Sequence, residues 1–355
     1  MIYHITSAHN RLDNRVYRKI FNTIRNCKKD TILVCCDGLG NDENNRIVDL
    51  MKKKTKSNRL SKVYFVFKYF ILKKNNILHF HDPELIPLMF FLSLNNKIIF
   101  DMHENFPDSI SRRYPLICRI IIFSLLNILK NISFIFFNCI FAEKSYLKNY
   151  NKYPLNYDFI YNYPLLQFAN TFYIKKRDFN KTFNLLYVGS ISSDRYCDLL
   201  IKTVSYLNEY NPDKRYILHL IGKMSRFFKY EPNPYVEYYG QLDNFEAYNI
   251  SKKCQLGFCF LKQIPNYVSS LPTKILEYVS INLPFLYTHS EFYDSYLNNT
   301  SLGIPVLSHE LKIISNKILF YSTQENYNKL FFYNKNIFSW KTEEEKLLNF
   351  YTKIL

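Results

Sequence analysis

The chain has 355 residues, a formal net charge of +17, 48% hydrophobic and 22% charged residues. At roughly 100 to 200 residues per domain this is room for two domains with separate cores, and the apolar share excludes a disordered chain. Eight cysteines show no Cys-x-x-Cys pair and lie mostly in apolar runs, which fits reduced core thiols in a cytosolic protein.

Met1-Ile2-Tyr3-His4-Ile5-Thr6 opens directly as a strand, without the basic and then apolar pattern of a signal peptide. The charge is uneven. Residues 1 to 165 hold 25 Lys and Arg against 13 Asp and Glu, and residues 166 to 355 hold 22 against 17. A basic half suits nucleic acid, an anionic membrane face or an acidic small substrate. No element alternates basic and aromatic residues on one face, so the 31 Tyr and 31 Phe read as core and not as a base-stacking platform, and no nucleic-acid partner is expected. The run Lys52-Lys53-Lys54-Thr55-Lys56, with Arg59 and Lys62, reads as a solvated face, with an electrostatic membrane or nucleic-acid contact as its second reading.

Apolar runs of strand length alternate with helical patterns, the signature of parallel sheets covered on both faces. Strands are predicted at 2–6, 31–36, 46–51, 77–81, 97–102, 134–141 and 158–161, and then at 183–188, 216–221, 236–239, 256–260, 284–288 and 304–307. The apolar stretch from Pro115 to Ala142 is interrupted by Arg119, Asn127, Lys130 and Asn131, which divides it into a helix to about Lys130 and a buried strand. The helix also suits a bilayer surface. Two doubly wound α/β halves follow: a Rossmann-like domain over 1–165, a second over 166–336, and a closing helix over 337–355.

Ligands of open parallel sheets sit beyond the carboxyl ends of the strands. There the first half places His9, Asp13 and Arg15, then His81, Asp82 and Glu84, then Asp101, His103 and Glu104. His79, His81, Asp82, Asp101 and His103 can be drawn as a metal site, but a packed His79 and a hydrogen-bonded His81 are the preferred reading. In the second half a strand runs into Val188-Gly189-Ser190, with Arg195 in the following loop. A glycine there lets backbone amides approach a phosphate at a helix N-terminus, and Arg195 adds a forked cation. Farther on, Ser270-Leu271-Pro272-Thr273-Lys274 opens a helix that carries Glu277 one turn after Lys274. The dinucleotide fingerprint G-x-G-x-x-G is absent, which counts against an NAD-dependent enzyme.

Together these segments, with Asn162-Tyr163-Pro164 and Phe338-Ser339-Trp340 before the last helix, resemble glycosyltransferase family 4, and more narrowly its bacterial surface-polysaccharide branch. The resemblance implies the GT-B fold, two Rossmann-like domains facing across a cleft, with an N-terminal acceptor domain and a C-terminal nucleotide-sugar domain. It implies retaining, metal-independent hexosyl transfer from a nucleoside diphosphate sugar to an acceptor hydroxyl in O-antigen or capsule assembly, with no cofactor. The implied acceptor is an oligosaccharide or lipid-linked glycan, met at the inner face of the cytoplasmic membrane. It implies that Glu277 holds the donor ribose and that Gly189, Arg195, Ser270, Leu271 and Lys274 surround the diphosphate or sugar. His103 lies near the reacting groups, His9, Asp13, Arg15, His81, Asp82 and Glu104 belong to the acceptor side or cleft, and Trp340 seats the last helix on the first domain.

The sequence departs from that pattern at three places. Ser269 stands where the family has the first of two paired Glu residues. Tyr196 and Asn282 replace glycines, and Asn282 still suits a helix C-terminus because Asn tolerates a left-handed backbone. A sugar-nucleotide 2-epimerase of the same fold and a non-catalytic basic binding protein are the alternative readings.

Overall fold

The computed structural model describes all residues except 10, 12, 52–57, 113, 148–155, 166–170, 174–180, 264–266, 268–269, 298–299 and 331–337. Ser269, the lysine run 52–56 and most of the stretch between the two halves thus lie outside the described residues. The chain forms two compact units, Met1–Asn162 with Trp340–Leu355, and Tyr163–Ser339.

The first unit is built on β1 (Ile2–Ile5), β2 (Thr31–Cys35), β3 (Ile47–Asp49), β4 (Ile77–Phe80), β5 (Lys97–Met102), β6 (Asn138–Phe141) and β7 (Tyr157–Phe159). They pair in the order β3-β2-β1-β4-β5-β6-β7, parallel throughout. Every residue of β1 and β4 is buried, as strands covered on both faces require. A π-helix, Asn14–Phe21, leads into α1 (Asn22–Cys27). Three helices follow one another in space on one side of the sheet: α2 (Arg59–Phe70), α3 (Ile86–Leu92) and α5 (Leu116–Phe136), with the short α4 (Phe106–Ser111) before the last. The ring of Phe67 on α2 lies 6.2 Å from that of Phe91 on α3, and Phe90 of α3 lies 5.7 Å from Phe136 of α5.

One expectation fails here. The predicted strand 134–141 is helical up to Phe136, and β6 starts only at Asn138. Lys130 and Asn131 do not break the helix, because polar side chains at its surface leave the backbone ladder intact; the Ser133 hydroxyl donates back to the Lys130 carbonyl at 2.7 Å, and the chain turns extended at Phe137. The result is one apolar helix of 21 residues, long enough to cross a membrane by length and composition, with only 6% of its most apolar window buried.

The second unit pairs β8 (Thr182–Val188), β9 (Arg215–Ile221), β10 (Val236–Tyr238), β11 (Leu256–Cys259), β12 (Phe285–Thr288) and β13 (Gly303–Val306) in the order β10-β9-β8-β11-β12-β13, again all parallel. Successive residues of β8 enter opposite cores: Leu185 and Tyr187 join one with α6 (Cys197–Tyr210), Leu186 the other with α8 (Thr273–Ser280), and the unit also carries α7 (Asn244–Ser251), α9 (Glu291–Leu297), α10 (Leu311–Tyr321) and α11 (Gln324–Asn328). In each unit the strand order reverses beside its first strand, between β1 and β4 and between β8 and β11. Those are the switch points at which loops diverge and leave a crevice.

The last helix, α12 (Trp340–Ile354), belongs to the first unit. Trp340 Nε1 donates to Thr23 Oγ1 at 3.1 Å, the Tyr161 amide donates to Glu343 Oε2 at 2.8 Å, and Lys97 Nζ donates to the Ile354 carbonyl at 2.7 Å.

Candidate functional site

In the first unit the loops after β1, β4 and β5 meet around a cavity of about 190 Å³ lined by His9, His81, Asp82, Asp101, His103 and Glu104 among others. Asp82 is held rigidly. Its Oδ2 accepts from Thr6 Oγ1 at 2.8 Å and from the Ser7 and Ala8 amides at 2.6 and 3.2 Å. Its Oδ1 lies 3.2 Å from His9 Nε2, while His9 Nδ1 lies 3.4 Å from Asp13 Oδ2. Burial opposes charge on His9, but the bond with Asp13 and the fields of Asp82, Asp13 and Glu104 outweigh it and raise its pKa to about 9. His103 behaves oppositely. Burial, together with the charges of His9 and Arg15, holds it below its ordinary value despite Asp101.

Asp101 lies beneath, fully buried. Arg15 grips it with two hydrogen bonds, 3.0 and 2.6 Å, and His81 Nδ1 is 2.9 Å away. Burial alone would raise the Asp101 pKa, but Arg15 and His81 drive it well below the carboxylate range. The remaining Arg15 fork donates to the Ile160 carbonyl at 2.9 Å. Arg15 therefore braces β5 and the segment after β7 from within, and with Asp13, which caps the π-helix through the Arg15 and Val16 amides, it supports the cavity and does not line it.

His4, His79 and His81 form a stacked ladder below this layer. Neighbouring rings lie 4.6 Å apart, and the His79 and His81 planes are 23° from parallel. Each of the three brings a ring nitrogen within 4.8 Å of the others, a spacing that an ion could use, but a metal ion lies in the plane of each imidazole that binds it, and the stacking of His79 on His81 disfavours that for this pair. Burial pushes the His4 and His79 pKa values well below normal, and both rings reach the Tyr351 hydroxyl of α12, at 3.3 and 2.6 Å. A second acidic group, Asp37 and Asp49, already has its cation: Arg11 bonds both, at 2.5 and 3.0 Å.

The second unit assembles a different kind of site at its switch point. Gly189 follows β8 with φ +132°, and Gly222 follows β9 with φ +139°. A Cβ on Gly222 would stand 1.9 Å from the Gly189 carbonyl oxygen, so two glycines let two loops close face to face. Over them reaches Lys274, in the first turn of α8 and only 6% exposed. Its ammonium sits 4.0 Å from the Tyr187 ring centre and has no hydrogen-bond partner among the described residues. Burial, reinforced by the nearby Arg195 charge, lowers its pKa to about 8. Arg195 ends a short 3-10 turn, Ser193–Arg195, just ahead of α6, and its guanidinium lies 5.5 Å from the Tyr267 ring. Two cations thus converge near two glycine loops and a helix N-terminus, an arrangement that attracts a polyanion. Glu277 is half-buried one helical turn beyond Lys274. Leu271 is buried in the core ahead of α8, Ser270 is half-buried beside it, and Pro272 stands at the N-cap.

The two positions that lack the expected glycine keep its backbone. Tyr196 takes φ +55°, with its ring stacked on His309 at 4.0 Å, and Asn282 takes φ +57°. At Asn282 the amides of Asn282 and Leu283 donate to the Val279 and Tyr278 carbonyls at 3.1 and 2.9 Å, the paired bonds that end a helix on a left-handed residue. Gly222, Tyr187 and Tyr267 are site residues that the sequence reading missed. With only 7 glycines in the chain, the Ile221-Gly222 step at a strand end was the available signal for the first.

No family model matches the chain, and no curated protein matches it by sequence. Solved structures do match in fold. Sucrose-phosphate synthase from Thermosynechococcus elongatus superposes with a TM-score of 0.71 at 10% identity, covering 99% of this chain and 98% of that one. Anabaena HepE, solved with UDP and glucose, gives 0.69 at 10% identity and 99% coverage of both chains. The E. coli trehalose-6-phosphate protein bound with UDP-2-fluoro glucose gives 0.61 at 10% identity, over 99% of this chain and 95% of that one. Two all-parallel sheets of 7 and 6 strands, matched over nearly the whole length by these structures, give this chain the GT-B glycosyltransferase fold.

Proposed function

We propose that the chain is a family 4 glycosyltransferase that moves a hexosyl group from a nucleoside diphosphate sugar to an acceptor hydroxyl, with retention at the anomeric carbon. The observation that carries this reading is the buried Lys274 ammonium against Gly189, without a hydrogen-bond partner among the described residues and with Arg195 beside it. A buried cation that no carboxylate among the described residues neutralises costs stability, and a diphosphate would relieve that cost. That structures of this fold were solved with UDP and with UDP-2-fluoro glucose supports the same donor class.

The two units take different tasks. In the second, Glu277 accepts hydrogen bonds from the ribose hydroxyls, and Arg195, Lys274 and the loop amides at Gly189 hold the diphosphate, with Ser270 and Leu271 beside the sugar. As the bond between the anomeric carbon and the diphosphate oxygen breaks, negative charge grows on the diphosphate, where these cations stabilise it. The acceptor oxygen bonds to the same carbon, and its proton passes to a diphosphate oxygen. In the first unit, His103, His9, Asp82 and Glu104 bind the acceptor and orient its hydroxyl. The acceptor is a lipid-linked glycan of surface-polysaccharide assembly, presented at the anionic inner face of the cytoplasmic membrane, to which the basic first unit is drawn.

Screening sugar nucleotides for nucleoside diphosphate release, with and without acceptor lipid and in the presence of chelator, tests the reading. Acceptor-dependent release that survives chelator is the expected result. Release without acceptor, accompanied by an epimerised sugar nucleotide, would assign the fold to 2-epimerisation, and loss of activity restored by Mn²⁺ or Mg²⁺ would remove metal independence.

A further inference from the structure

On the surface of the first unit, α5 stands largely free of the core. Ile117, Ile121, Leu125, Ile128, Ile132 and Ile135 recur at helical spacing as one stripe, and all are exposed, Ile117 at 79%. The face does not end there. The neighbouring α3 adds Phe91, with Leu94 just beyond its end, and α2 adds Tyr64, with Leu72 past its C-terminus 87% exposed. The aromatic contacts Phe67–Phe91 and Phe90–Phe136 join the three helices side by side. Monomeric soluble domains rarely carry so extended an apolar face. The charges of these helices are one-sided: α2, α3 and α5 contain no Asp or Glu, and although Arg59 pairs with Glu84 at 3.7 Å and Lys62 Nζ donates to the Ser7 carbonyl at 3.0 Å, Lys68, Arg119 and Lys130 add further basic groups. An apolar stripe with basic residues and no acidic ones complements a bilayer whose headgroups are anionic and whose interior is hydrocarbon.

We infer that α5, flanked by α3 and α2, lies in the plane of an anionic bilayer with its exposed Ile and Leu stripe among the acyl chains, so that the unit is a monotopic membrane protein. This deepens the membrane part of the proposed function by assigning attachment to apolar immersion, with Arg and Lys at the headgroups, instead of to surface charge alone. It concerns residues outside the donor site, so the two readings can fail separately.

Sedimentation of the full chain with vesicles of phosphatidylcholine, and of phosphatidylcholine with phosphatidylglycerol, at low and high salt tests it, alongside sedimentation velocity without lipid. The expected result is binding to the anionic vesicles that high salt weakens only a few-fold, and an Ile121→Glu/Ile128→Glu variant that partitions at least roughly tenfold less while its circular dichroism and its nucleoside diphosphate affinity stay unchanged. Because both side chains are solvent-exposed, the variant leaves the core intact. Absence of the wild-type chain from both vesicle pellets would overturn the inference, as would binding abolished by salt, undiminished binding by the variant, or a lipid-free dimer that the same substitutions dissociate, which would make a second copy the occupant of this face.

Discussion

The imidazoles of His9 and His103 meet nitrogen to nitrogen, with their Nε2 atoms 3.1 Å apart, although 94 residues separate them in sequence. Two facing lone pairs repel, so one ring carries the proton between them, and the surrounding charges place it on His9, which has Asp13 at one nitrogen and Asp82 at the other. His103 is then neutral, protonated at Nδ1 towards the Asp101 carbonyl 3.3 Å away, with its Nε2 lone pair turned to His9. A positioned neutral histidine suits the acceptor side of the proposed reaction.

The pH dependence follows from that assignment. His9 is raised from 6.5 to about 9, so the folded state binds its proton more tightly than the unfolded state. Its contribution to stability is complete below about pH 6.5 and is lost as pH rises through about 9. Histidine NMR titration should show one imidazole still protonated near pH 8, absent in His9→Gln, whose stability should no longer fall across that window. A wild-type His9 titrating near or below 6.5 would show that the proton lies elsewhere.

Lys274 gives the opposite sign. Its pKa falls from 10.5 to about 8, so between these values the unfolded chain holds more protons and stability rises with pH. At neutral pH the buried charge works against the fold. Lys274→Met, which keeps the unbranched stem one atom shorter and without the charge, should raise the free energy of unfolding at pH 7 by roughly 1 to 3 kcal/mol while weakening nucleoside diphosphate binding at least tenfold. Denaturant melts read the first effect and calorimetry the second. A variant less stable than the parent would mean that the ammonium has a partner in the folded chain.

Gly222→Ala should destabilise by more than about 2 kcal/mol, because the added Cβ meets the Gly189 carbonyl and the backbone stays at positive φ. Since the same clash separates the two loops, donor affinity should fall with stability. Equal stability and affinity would show that the loops open without cost.

The strands were legible because parallel sheets buried on both faces are written as continuous apolar runs: Ile98-Ile99-Phe100 and Tyr216-Ile217-Leu218 need no context. Strand ends also pointed to His9, Asp82, Gly189 and Arg195. The length of α5 was not legible. Lys130 and Asn131 read as a break, yet a helix surface accepts polar side chains, and only the fold shows that so apolar a helix stays exposed. Nor could spacing distinguish Arg15 as a ligand group from Arg15 as the brace on Asp101, since a buried carboxylate 86 residues away decides it. His79 and His81, two apart on one strand, suggested a shared ion, but that spacing stacks their rings.

In the proposed function the second unit holds a nucleoside diphosphate, with Glu277 on the ribose and Arg195 and Lys274 on the phosphates. Calorimetric titration of nucleoside and of nucleoside diphosphate against wild type, Glu277→Ala and Arg195→Ala tests it most directly. Removing Glu277 takes away hydrogen bonds to a charged acceptor worth roughly 1.5 to 3 kcal/mol each, so that variant should lose tenfold or more in affinity for both ligands. Arg195→Ala should bind the nucleoside as the parent does and lose affinity for the diphosphate alone. If both variants bound nucleoside diphosphate with wild-type affinity, the site would lie elsewhere, and the likeness to nucleotide-sugar enzymes would be one of fold only.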